Sequence, residues 1–113
     1  MPVGRRTPWT AALALLCVGL LCVGLPAAAS EQLAARKACL GCHTVASARV
    51  GPAFQAVATR YAGDAGALER LARKVREGSR DTWGVVPMPP NPRVSEAEAR
   101  ELARWVLAQR PAR

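Results

Sequence analysis

The chain has 113 residues, 16 Lys and Arg against 8 Asp and Glu, a formal charge of +8, four cysteines and a single histidine. That length allows one small domain. The basic balance favours an acidic partner or an anionic surface, but no stretch interleaves aromatic and basic residues as a nucleic-acid site would.

The first 29 residues read as a secretory signal peptide. Arg5 and Arg6 give a basic start, "WTAALALLCVGLLCVGL" (9–25) an apolar centre, and Ala27-Ala28-Ala29 a small-residue end. Cleavage is expected after Ala29, in the periplasm. The alternative is a retained membrane anchor, since 9–25 is nearly long enough to span a bilayer. Cys17 and Cys22 fall within the discarded run. The remaining domain, 30–113, holds fourteen Lys and Arg against eight Asp and Glu, for a charge near +6. Eighty-four residues (113 minus 29) is small for a self-supporting core, and such domains usually need a staple.

Within that domain the spacing predicts a first short helix over 31–40. Pro52 is expected at the first position of a second helix, with Phe54, Val57, Ala58 and Tyr61 on one apolar face and Gly63 closing it. A third helix is predicted from Ala67 to Glu77, striped by Leu68, Leu71, Ala72 and Val75 and ended by Gly78. The last starts at Ser95, where Ser95 and Glu98 make a capping box; Ala99, Leu102, Trp105 and Val106 form its buried face. Pro87, Pro89, Pro90 and Pro92 exclude helix between the third and last. No segment alternates long enough for a strand, so the fold is all-α: three or four short helices and one stiff loop.

The chemistry is concentrated in "CLGCH", Cys39 to His43. A structural zinc site needs four ligands, and the mature chain offers two cysteines and one histidine. A thioredoxin-like dithiol expects strands around it. A c-type haem attachment needs only what is present. Cysteines at i and i+3 reach two vinyl groups, and the next residue offers its imidazole to the iron. A methionine would complete a His/Met pair. After the leader only Met88 remains, in "VPMPPN", where flanking prolines stiffen the backbone.

"CLGCH", "VGPAF", "YAGDAGA", "WGVVPMPPN" and "LARWVLAQ" together resemble the small class I cytochromes c of bacteria, of the c-551 type, over essentially the whole mature chain. The resemblance implies a class I cytochrome c fold wrapped around one covalently bound haem c, and a mobile periplasmic electron carrier that is not itself an enzyme. It implies thioether links at Cys39 and Cys42 and axial ligation by His43 and Met88. It also implies a hydrogen bond from His43 to the Pro52 carbonyl, a bond from the Trp83 indole to a haem propionate, Lys74 near a propionate, and the Asn91 amide against the Met88 sulfur. Phe54 and Trp105 are left as core. The implied partners are redox proteins such as a cytochrome bc complex, a terminal oxidase or a nitrite reductase, met by transient docking of a monomer. Haem catalysis of peroxidase type and small-ligand sensing are the rivals; both need an open iron position.

Overall fold

The computed structural model describes Gly4 and residues 27–111. The apolar run 9–25 and the basic start lie outside the described residues. Four α-helices follow one another: α1 (Ala27–Arg36), α2 (Phe54–Arg60), α3 (Ala67–Glu77) and α4 (Glu96–Leu107), with a short 3-10 turn at Cys39–Gly41. Among the described residues there is no strand; two isolated bridges join His43 to Ala48 and Ser79 to Met88. No described helix is long and apolar enough to cross a membrane.

α4 is the hub, packing against α1, α2 and α3. Its capping box forms as the sequence indicates: Glu98 N–H donates to Ser95 Oγ at 3.1 Å, and Ser95 N–H donates to Glu98 Oε2 at 2.9 Å. Such a cap contributes about 1 kcal/mol. Ala99, Leu102 and Trp105 are buried on the inner face, while Val106 is half-buried against the same cluster. Ala103 of α4, Leu33 and Ala34 of α1, Phe54 of α2, Ala72 of α3 and Val94 complete that cluster. α3 spans the expected residues, with Leu68, Leu71 and Val75 packed partly buried beside Ala72.

Boundaries of the first two helices move. The first helix runs Ala27–Arg36, beginning before residue 31 and ending before residue 40. Ala38 takes a left-handed conformation, φ 62°, which no alanine announces, so the chain re-enters as a 3-10 turn carrying Cys39. The second begins at Phe54 rather than Pro52. Its first amides are already satisfied from outside: Phe54 N–H donates to the Thr44 carbonyl at 2.9 Å and Gln55 N–H to the Val45 carbonyl at 3.0 Å. These two bonds tie the start of α2 to the segment just after His43.

Lys37 joins the end of α1 to the start of α4. Its Nζ lies 3.0 Å from Glu98 Oε2 and donates to the Arg93 carbonyl at 2.7 Å. The Ser95 backbone N–H, and then Lys37, hold the Glu98 carboxyl below the usual carboxylate range. A carboxyl whose folded pKa is depressed adds stability that is present above its unfolded pKa and is lost as pH falls through the folded one. Glu98→Gln is therefore expected to lower the thermal midpoint at neutral pH. The difference from the parent protein should close on acidification past the ordinary glutamate range, which thermal melts at a series of pH values will read.

Candidate functional site

One cavity of about 510 Å³ opens among α1, α3, α4 and the loops between them, within the 300–1,000 Å³ span usual for cofactor sites. Cys39, Cys42, His43, Pro52, Lys74, Trp83, Met88 and Asn91 all line it. Phe54, Leu71, Val75, Leu102 and Trp105 give it an apolar back wall.

His43 is held in three ways. The Pro52 carbonyl stands 2.8 Å from Nδ1. A carbonyl only accepts, so Nδ1 carries the proton and Nε2 is left with its lone pair free for a metal. Phe54 stacks on the ring, with centroids 5.0 Å apart and planes at 19°, and Trp105 meets Phe54 edge-on at 5.2 Å. Gly51 leaves the room. A Cβ there would fall 2.5 Å from Cε1 and 2.8 Å from Nδ1 of the imidazole. Sequence reasoning did not single out Gly51, although it sits in "VGPAF"; a glycine beside the ligand's carbonyl partner is the signal.

Gly51→Ala is expected to force the pinned ring out of place at about 2 kcal/mol, the scale of overpacking a filled site, and to change the visible spectrum of the loaded protein. Gly41→Ala is the control, because nothing lies within 4 Å of a Cβ at that glycine inside the cysteine turn. Thermal melts and absorption spectra of the two variants check this.

Cys39 and Cys42 are free thiols, half-buried, on one short turn; Cys42 N–H and His43 N–H both donate to the Cys39 carbonyl, at 3.2 and 3.0 Å. Burial pushes the Cys39 thiol up from its ordinary value. That disfavours the thiolate on which disulfide exchange depends. Among the described residues no three or more His, Cys, Asp or Glu side chains cluster to hold a metal ion.

The opposite wall is the loop after α3. Gly78, at φ 87°, ends that helix; a Cβ there would lie 2.9 Å from the Met88 carbonyl and 3.1 Å from Pro90 N. Only glycine lets the Met88 strand run this close. Ser79 and Met88 then exchange backbone hydrogen bonds at 3.0 and 2.9 Å.

Asn91 is held by both its side chain and its backbone. Its Nδ2 donates to the Lys37 carbonyl at 2.8 Å, and its backbone N–H donates to the Val75 carbonyl at 3.1 Å. It thus laces the methionine loop to the cysteine turn; no bond to the Met88 sulfur accompanies this. Lys74 Nζ donates to Thr82 Oγ1 at 2.9 Å, and Trp83 is 42% exposed at the mouth.

Two thiols and an available imidazole nitrogen on one side of an apolar cavity, faced by a proline-held methionine, fit a haem attached through both sulfurs and define a c-type cytochrome. The cytochrome c family model matches residues 27–109. Cytochrome c-551 of Pseudomonas aeruginosa is 46% identical over 101 residues, 88% of this chain and 96% of that protein. Cytochrome c-552 of Nitrosomonas europaea is 42% identical over 105 residues, 90% and 96% of the two chains. The crystal structure of wild-type Nitrosomonas europaea cytochrome c552 superimposes with a TM-score of 0.70 at 42% identity, covering 71% of this chain and 99% of that one.

The chain belongs to the cytochrome c family, as a class I member of the c-551 type. Membership brings one covalently bound haem c, and the residues at "CLGCH" suit it. Its relatives are small electron carriers that work with redox partners.

Proposed function

We propose that this protein is a periplasmic one-electron carrier working through a haem iron held between His43 and Met88, and that it transforms no substrate of its own. The observation that carries the reading is the convergence of Cys39, Cys42, His43 and Met88 on one cavity with an apolar back wall. Haem c supplies ferric–ferrous chemistry when bound. Everything else falls to the chain. Cys39 and Cys42 anchor the group, and their thioethers staple a small domain. His43 presents Nε2, with the Nδ1 proton kept on the Pro52 carbonyl; that bond makes the ligand more basic. Met88 supplies a thioether that favours the reduced state. Phe54, Leu102 and Trp105 exclude water. Lys74 and the Trp83 N–H serve a propionate, and the second amide hydrogen of Asn91 serves the Met88 sulfur.

His43 is the sole histidine of the chain, so no second imidazole is present for the distal acid–base work of a peroxidase. With Met88 closing the sixth position, gas sensing has no open site either. A redox titration will test the reading: a reversible one-electron transition with no carbon monoxide binding to the reduced protein supports it. Carbon monoxide binding at neutral pH, or peroxide turnover far above that of free haem, would favour a rival.

Export follows from the leader at 1–29, with cleavage after Ala29; the amino-terminal sequence of the secreted protein will check this. The domain's excess of arginine and lysine suits a partner with an acidic patch, whether a cytochrome bc complex, a terminal oxidase or a nitrite reductase. Electrostatic steering is screened over about 8 Å at physiological salt. The second-order rate of electron transfer to a purified partner is therefore expected to fall as salt rises in stopped-flow measurements. A flat profile would leave docking to exposed apolar residues such as Val50, Val85 and Val86.

A further inference from the structure

The loop closed by the Ser79–Met88 bridge carries both Trp83 and Met88. Two of its residues stand in the left-handed region, Asp81 at φ 57° and Gly84 at φ 111°. Its tip is bound to two helices at one residue. From α3, Lys74 Nζ donates to Thr82 Oγ1 at 2.9 Å, and Ser79 Oγ lies 3.1 Å from the same hydroxyl. From the last turn of α2, Arg60 Nη1 donates to the Thr82 carbonyl at 2.7 Å, while the centre of its guanidinium stands 4.6 Å from the centroid of the Trp83 ring.

We infer that Arg60 is a positioning residue for Trp83: its guanidinium, bonded to the Thr82 carbonyl and stacked on the indole, fixes the ring at the cavity mouth with its N–H free for an acceptor. The inference rests on the reading of Trp83 as the donor to a haem propionate. A cation engages the face of an indole, whereas the N–H points outward in the ring plane. One side chain can therefore be gripped from its face and still donate from its edge. A tryptophan 42% exposed is held less by packing than a buried one, so a grip on its face counts for more. Arg60 does not line the cavity, so any contact-mediated influence on the haem passes through Trp83 and its loop. Arginine suits the task because its planar fork stacks and donates at once, which a lysine ammonium cannot do.

Four loaded variants test this: Arg60→Ala, Arg60→Lys, Trp83→Phe and the Arg60→Ala, Trp83→Phe double. The readouts are reduction potential and amide hydrogen exchange at Ser79 and Met88, whose backbone bonds close the loop. Arg60 is exposed at a helix end, so its variants are expected to fold. Losing the hydrogen bond and the stack should speed exchange at these amides about tenfold. Trp83→Phe and Arg60→Ala should each lower the potential, because a propionate without its donor favours the ferric state. The double variant should fall no further than the larger single effect. Arg60→Lys should move the potential in the same direction as alanine despite keeping the charge. A wild-type potential in Arg60→Lys, or additive shifts in the double variant, would reduce Arg60 to a remote charge and overturn the inference alone. An unchanged potential in Trp83→Phe would overturn the Trp83 reading and this inference with it.

Discussion

In the Met88→Ala variant the reduction potential falls sharply and carbon monoxide binds the ferrous form. Both effects follow from one lost thioether. A sulfur ligand stabilises ferrous iron, and axial-ligand identity spreads haem potentials over about 0.8 V, so a drop on the order of 0.1 V or more is expected. An alanine methyl could not take the place of the proposed thioether ligand, which would leave its position open to carbon monoxide. The loop should survive the change. Its geometry is set by Gly78, by the two backbone bonds between Ser79 and Met88, and by Asn91 on the Lys37 carbonyl, none of which uses the methionine side chain. The shift should thus appear without a large loss of helicity. Potentiometry and carbon monoxide titration read it directly. An unchanged spectrum and potential would remove Met88 from the iron.

The second large effect is the loss of the fold without haem. Among the described residues thirteen apolar residues are buried, and seven of them are alanines: Ala34, Ala53, Ala58, Ala67, Ala72, Ala99 and Ala103. Only Leu33, Phe54, Val57, Val94, Leu102 and Trp105 bring larger side chains. Small residues bring the helices close together but remove little area from water, about 25 cal/mol for each Å² buried. The cavity wall is the other half of the core, and it faces empty space unless a large apolar group fills it. A chain carrying Cys39→Ala and Cys42→Ala, produced without haem, is expected to be largely unfolded by circular dichroism at 25 °C. A cooperative helical melt of that chain would show that the helices hold one another unaided.

How much of this was legible in the sequence depended on whether a feature was local. α3 and α4 could be bounded because their stops and starts are written in single residues: Gly78, and Ser95 with Glu98. The end of α1 could not, because Ala38 turns left-handed and alanine carries no turn signal. Pro52 looked like a helix start, yet its carbonyl was needed by His43, and α2 waited two residues. The eight site residues expected from motif and resemblance all reach one cavity. The spaces between them stayed hidden. Gly51 matters only once the imidazole is seen against it, and Arg60 meets Thr82 and Trp83 from 22 and 23 positions away, through folding alone.

The most direct test of the central claim is a proton NMR spectrum of the reduced, haem-loaded protein. If His43 and Met88 hold the iron of a covalently attached haem, the Met88 methyl lies over the porphyrin face, and its resonance is displaced far upfield by the ring current. That resonance should vanish in Met88→Ala and persist after acid–acetone extraction and refolding, since the thioethers at Cys39 and Cys42 keep the haem on the chain. A methionine methyl at its ordinary position, or haem that leaves with the acetone, would contradict it.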